Sequence, residues 1–143
     1  MIGKFIFFQF FMSQTDITEQ EVDKLILELL MWHSDIVKVD EKEFLDLLKH
    51  SLSLNTMEKK RVLDAVPTLS QFQFDELTKV FIEERKKFKE LAKEHPDDIK
   101  KLLNKQQTDW INLGDLYRSE KENKWKQEEE QKRMDDIKKN LWL

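Results

Sequence analysis

The chain has 143 residues, with 25 Lys or Arg against 29 Asp or Glu, and a net charge of −4. Charged residues make up 38% of it, well above the usual quarter, while the 39% that are apolar suffice for one core. Gly and Pro occur only twice each, which argues against a sandwich or barrel with many tight turns. The absence of cysteine excludes disulfides, thiolate metal sites and a cysteine nucleophile.

The first twelve residues, MIGKFIFFQFFM, form a Phe-rich apolar segment. Its length of about 12 residues is too short to span a bilayer, which needs roughly 20. No small-residue cleavage site follows, which disfavours a signal peptide. Three interpretations of residues 1–12 stay open: an anchor that touches a membrane, an arm that docks on a partner, or an over-extended start. Through Phe5–Phe11 we expect weak membrane attachment at most, because stable anchoring usually takes two signals.

Three N-terminal capping signals predict three short helices over residues 18–66. The first is a Thr-x-x-Glu capping box, and its helix is expected to run to about His33. Apolar positions cover more than half of its circumference, so this helix should lie deep in the core. The third helix should end before Pro67, because the residue before a proline disfavours the helical region. The capping residues are Thr18, Asp40 and Asn55, and the apolar positions of the first helix are Val22, Leu25, Ile26, Leu29, Leu30 and Trp32.

Two long amphipathic helices are predicted next, separated by a proline. Ser70 and Gln73 form a capping box that opens a helix from Gln71 to about Glu94. Pro96 is well placed to begin the following helix. A short Pro-containing link between two such helices predicts an antiparallel hairpin. The inward stripes are Phe74, Leu77, Val80, Phe81, Phe88, Leu91 and Ala92 in one helix, and Leu102, Leu103, Gln106, Trp110, Leu113 and Tyr117 in the other.

The inward stripe stops at Tyr117, and 11 of the 16 residues in 118–133 are charged. Glu–Lys or Glu–Arg pairs spaced i,i+4 are expected to support a helix there without a core beneath it. The sequence therefore predicts an all-α fold with a helical core over residues 13–117 and an overhanging helical extension over residues 118–143. The predicted pairs are Glu120–Lys124, Glu122–Lys126, Glu128–Lys132 and Glu129–Arg133.

No motif indicates catalysis, a metal or a cofactor. His33, His50 and His95 are too widely spaced for a ligand pair, and positions near helix ends account for them. Gly3 and Gly114 are the only glycines, which excludes a Gly-rich phosphate loop. We therefore predict a protein that is not an enzyme, with no catalytic residues, no metal site and no cofactor.

The extension is the predicted partner-binding surface. Trp125 lies off the core stripe within the charged segment, and tryptophan is enriched where partners dock. With the apolar residues near the end of the chain, it favours a cytoplasmic interaction module, a small subunit or adaptor of a larger assembly. Binding would follow a helix-in-groove or coiled-coil mode, to a protein partner or by self-association. The candidate residues are Trp125, Met134, Ile137, Leu141 and Trp142.

A helical nucleic-acid-binding accessory subunit is the alternative from another class. A basic cluster before residue 94 could meet a phosphate backbone, together with the lysines of the extension. The chain as a whole is acidic, however, whereas nucleic-acid footprints normally come with a basic domain. Trp110 and Tyr117 could stack on bases, but their inward register favours the core. The candidate phosphate-contacting residues are Arg85, Lys86, Lys89 and Lys93.

Overall fold

The computed structural model describes residues 16–142. Within that range the chain is all-α, as predicted, and forms no strand. Residues 1–12, with their membrane, docking-arm and over-extension interpretations, lie outside the described residues. The elements are α1 (Glu19–Leu30), α2 (Glu41–Lys49), α3 (Thr56–Ala65), a 3₁₀ turn (Val66–Thr68), α4 (Gln71–Glu94) and α5 (Pro96–Leu141).

The predicted N-caps of the first four helices are confirmed. At each cap a side-chain oxygen accepts a hydrogen bond from the backbone N–H three residues later, which satisfies a donor that the helix leaves free. Two capping boxes are complete, because Glu58 and Gln73 accept from the backbone N–H of their caps at 3.2 and 2.9 Å. These local signals therefore determine where the helices begin. The capping residues are Thr18, Asp40, Asn55 and Ser70.

Helix α1 ends earlier than its apolar pattern predicts. It stops at Leu30 rather than near His33, and Met31 caps it. The turn that follows directs Trp32 outward, where 73% of the residue is exposed, so its predicted place in the core is wrong. The 100° step that placed Trp32 on the inward face applies only while the chain remains helical. Val22, Ile26 and Leu30 do lie fully buried.

The core forms where α5 packs against α1, α3 and α4, with α2 between α1 and α4. Phe44 of α2 meets Phe74 and Phe81 of α4 edge-on, with ring centroids 5.3 and 5.9 Å apart. Beyond Phe81, α4 has no fully buried residue. The predicted inward positions Val80, Leu91 and Leu103 are exposed. At 100° per residue, Val80 and Leu91 lie about 100° and 80° around α4 from Phe81, at the edge of the predicted stripe.

Gly114 lets α1 approach α5 closely. A Cβ atom at Gly114 would lie 2.4 Å from Val22 Cγ2 and 3.2 Å from Ile17 Cδ1. Val22 is fully buried, and a β-branched side chain has essentially one rotamer in a helix, so it cannot turn away. The close approach of the two helices therefore requires glycine at this position.

Gly114→Ala is expected to lower the free energy of unfolding by about 1–2 kcal/mol, although alanine favours a helix by about 1 kcal/mol. The reason is the clash with Val22. In a Val22→Ala background the same substitution should be neutral or stabilising, because the clashing methyl groups are gone. Urea unfolding followed by circular dichroism measures all four proteins. An equal loss in both backgrounds would contradict the packing argument.

No helix in the described part of the chain is long and apolar enough to cross a membrane.

Candidate docking surface

Trp110 anchors α5 in the body of the protein. It is fully buried, and its indole Nε1–H donates a hydrogen bond to Asp23 Oδ1 at 2.8 Å. Lys49 Nζ donates to the other oxygen of Asp23 at 3.1 Å and lies 5.9 Å from the centre of the Trp110 ring. Burial alone would lower the pKa of Lys49, but hydrogen bonds to Glu19 and Asp23 outweigh it and raise the pKa. These contacts fix α5 against α1 and α2.

A second polar cluster marks the end of the anchored part of α5. Tyr117 Oη donates to Asp64 Oδ1 at 2.7 Å, and Lys60 Nζ lies 5.1 Å from the centre of its ring. Lys60 pairs with Asp64 and Glu120, each at 2.8 Å, and these two hydrogen bonds raise its pKa. Trp110 and Tyr117 are thus structural residues, as their inward register predicted.

From Ser119 to Trp142 every residue of the chain is exposed, and we call this segment the arm. Its helical part is about 35 Å long at 1.5 Å per residue. The predicted Glu120–Lys124 pair is wrong, because Glu120 instead pairs with Lys60 of α3. The other three predicted pairs of the extension, Glu122–Lys126, Glu128–Lys132 and Glu129–Arg133, are not among the ion pairs of the described residues. Exposed pairs of this kind gain little in water, so they do not fix the side chains.

The five candidate partner-binding residues are all exposed but do not form one surface. Met134, Ile137 and Leu141 are 52%, 54% and 77% exposed and share one face of the arm through their 3,4 spacing. At 100° per residue, Trp125 lies about 180° around the helix from Met134. Trp142 caps the helix about 100° from Leu141. A partner that covers the three aliphatic side chains would therefore leave Trp125 on the opposite side.

A groove of about 440 Å³ between α4 and α5 was not predicted from the sequence. Phe81, Phe88 and Leu103 contribute to its apolar lining, and the continuation of the apolar stripe of α4 as far as Phe88 was the available signal. On its edge Glu84 is satisfied by the loop after α2, accepting from the backbone N–H groups of Leu52 and Ser53 at 2.9 and 2.8 Å. The groove therefore carries no unpaired acid at Glu84.

The basic cluster of α4 is only partly available to an anion. Arg85 Nη1 pairs with Asp46 Oδ2 at 3.0 Å, and its Nη2 donates to the Asp46 backbone oxygen at 3.2 Å. Lys86, Lys89 and Lys93 are exposed and lie on one flank of the helix. Of the four predicted phosphate-contacting residues, the three lysines are therefore available to an anion and Arg85 is not.

Both ring nitrogens of His33 make hydrogen bonds within the protein body. Its Nδ1 and Nε2 lie 2.9 Å from the Ser34 backbone oxygen and from Glu41 Oε1, which links the α1–α2 turn to the start of α2. The hydrogen bond to Ser34, and then the one to Glu41, raise the pKa of His33 above its usual value. Across residues 16–142, no group of three His, Cys, Asp or Glu side chains is placed to hold a metal ion.

Comparisons with known protein families, with curated proteins and with solved structures find no match to this chain.

Proposed function

We propose that this protein is a non-enzymatic protein-interaction module, a small subunit or adaptor whose arm is the docking element. The observation that carries the proposal is the exposed row of Met134, Ile137 and Leu141 at the far end of α5. Contiguous exposed apolar side chains on a helix typically mark an interface. Nothing else in the described part of the chain covers this row, since every residue of the arm is exposed.

The structure of α5 supports this role physically. Forming a helix in water is limited by its first turn, which fixes several residues for a single hydrogen bond. In the arm that cost is already met, because α5 begins at Pro96 and is anchored by Trp110. The arm can therefore present its apolar row as a preformed helix, which suits helix-in-groove and coiled-coil recognition.

Nucleic-acid binding remains the alternative proposal, and it rests on Lys86, Lys89 and Lys93. Arg85 gives it no support, since its guanidinium is occupied by Asp46. A row of exposed lysines is equally typical of a solvated helix face. The apolar row of the arm, in contrast, is not explained by solvation, because water does not favour exposed apolar side chains. Interaction with a protein is therefore the better-supported function.

Deleting residues 121–143 is expected to leave a folded core and to abolish partner binding. The deletion begins after Glu120 so that the Lys60–Glu120 pair is retained. Circular dichroism should show a cooperative transition for the truncated protein. Affinity capture from the native source, quantified by mass spectrometry, should lose the proteins that the full-length chain retains.

A matched pair of variants separates the apolar row from general surface hydrophobicity. Met134, Ile137 and Leu141 are replaced by Ser in one variant, and Ile36, Met57 and Phe72 in the control. All six residues are exposed apolar side chains, but the control residues lie on the body. The arm variant should lose the captured proteins and the control should retain them. Unchanged capture by both the truncated protein and the arm variant would rule out the proposed function.

A further inference from the structure

The charged side chains of the arm are distributed unevenly around its helix. The row of Met134, Ile137 and Leu141 continues toward the body at alternating steps of three and four residues, the spacing of a coiled-coil seam. As far as Asn123 its other members are uncharged, except for Glu130; the next position, Glu120, pairs with Lys60 of α3. We call this row the docking stripe; it consists of Asn123, Gln127, Glu130, Met134, Ile137 and Leu141.

Basic side chains flank the docking stripe on both sides. In the heptad that places Met134 at a and Ile137 at d, the flanking e and g positions of residues 124–140 contain four basic residues and no acidic one. The remaining e and g positions are Gln131 and Asn140. All four basic residues are exposed, and none takes part in an ion pair among the described residues. They are Lys124, Lys126, Arg133 and Lys138.

Most of the acidic residues of the arm lie away from the stripe. Glu122, Glu128, Glu129, Asp135 and Asp136 occupy b or c positions of the same heptad. The arm is therefore nearly neutral in total charge but basic along the edges of the docking stripe. A partner helix would lie between these edges, so its own flanking charges decide whether it is attracted or repelled.

We propose that the docking stripe binds an α-helix whose apolar seam is flanked by Asp or Glu, and that it does not bind a second copy of the arm. This inference rests on the proposed function and specifies its partner. Acidic side chains at the partner's e and g positions would meet the four basic residues of the arm. Glu130 is the single acid on the stripe, and a polar seam residue of this kind fixes the register of pairing.

The same flanks disfavour self-association. In a parallel pair of helices the e positions of one chain face the g positions of the other, and in an antiparallel pair e faces e and g faces g. Either arrangement of two arms would bring Lys or Arg toward Lys or Arg. Like charges in these positions are destabilising. The basic residues that attract an acidic helix therefore also repel a second copy of the arm.

The test uses the full chain and two designed helical peptides of four heptads, both with Leu at the seam positions. One peptide carries Glu at every e and g position, and the other carries Lys. Fluorescence anisotropy should show at least tenfold tighter binding of the Glu peptide than of the Lys peptide at low salt. This difference in affinity should become smaller as the salt concentration is raised, because salt screens the charges. Light scattering of the chain alone should give the monomer mass.

Charge reversal supplies the matched control. Lys126→Glu, Arg133→Glu and Lys138→Glu are combined in one variant, which should now prefer the Lys peptide. The control variant combines Lys121→Glu, Lys132→Glu and Lys139→Glu, which change the net charge equally but lie on the opposite side of the arm. It should keep the preference for the Glu peptide, because only the charges beside the seam contact the partner.

Equal binding of the two peptides, an unchanged preference in the flank variant, or a dimer mass for the wild-type chain alone would overturn the inference. Failure of both peptides to bind would overturn it as well. In each of these cases the capture experiment with the truncated protein decides the proposed function separately, because that experiment does not depend on the charge of the partner.

Discussion

Replacing Trp110 by alanine is expected to lower the free energy of unfolding by about 3–5 kcal/mol. The side chain is fully buried where α5 meets α1, so its removal leaves a cavity in the middle of the core. The substitution also takes the indole donor from Asp23, and among residues 16–142 the Asp23 carboxylate then keeps its contact with Lys49. Urea unfolding followed by circular dichroism measures the loss, which is a large share of the stability of a domain of this size.

Two further variants determine the source of that loss. Trp125→Ala makes the same chemical change on the exposed arm and should shift the free energy of unfolding by less than about 0.5 kcal/mol. Trp110→Phe keeps an aromatic ring but lacks the indole N–H, and should cost less than Trp110→Ala. Equal destabilisation by Trp110→Ala and Trp125→Ala would show that α5 is not anchored through this residue.

The anchoring of α5 also matters for the arm. A continuous helix transmits the orientation of its buried half to its exposed half, so the Trp110 and Tyr117 contacts fix the direction in which the arm leaves the body. In the proposed function the arm is thus a spacer that holds its apolar row away from the core. Its charged surface keeps this spacer solvated without requiring any particular ion pair along it.

The parts of the fold that depend on neighbouring residues could be predicted from the sequence. Ser70 with Gln73 predicted the first residue of α4, and the structure forms that capping box. The inward register of Trp110 and Leu113 was likewise predicted from a 3.6-residue period, and both residues are fully buried. Such signals act over three or four residues, which is why one sequence suffices to detect them.

The errors arise where contacts distant in sequence decide the outcome. Glu120 was expected to pair with Lys124, but α3 brings Lys60 within 2.8 Å of it. The need for glycine at position 114 cannot be predicted from the sequence, because it comes from close contact with Val22 on another helix. The groove between α4 and α5 depends on how far the body extends along the two helices, which no local pattern specifies.

The strongest example of a contact that local sequence does not predict is the one made by Lys59. Its side chain is fully buried within α3, in a stretch of polar sequence, and Nζ donates to the Lys49 backbone oxygen at 3.0 Å. That oxygen belongs to the last residue of α2, where helix carbonyls lack helical partners. Burial lowers the pKa of Lys59 to about 8, although Asp109 and Glu84 oppose this shift.

Lys59→Met is expected to remove a pH dependence of stability between pH 8 and 10. Because the pKa of Lys59 is lowered from 10.5 to about 8 on folding, the unfolded chain binds more protons in this window and stability rises with pH. Over the full shift the gain is roughly 3 kcal/mol, and most of it falls below pH 10. The wild type should therefore gain stability relative to Lys59→Met as the pH rises, as measured by urea unfolding at each pH.

Lys60→Met provides the comparison of opposite sign. Hydrogen bonds to Asp64 and Glu120 raise the pKa of Lys60, so between pH 8 and 10 its stabilisation is present and it is lost only as the pH rises above about 10.5. The difference between the wild type and Lys60→Met should thus stay level from pH 8 to 10. A level difference for Lys59→Met in the same window would show that the Lys59 ammonium is not desolvated in the folded protein. A rising one would show that burial disfavours the charged form of Lys59 in the folded protein.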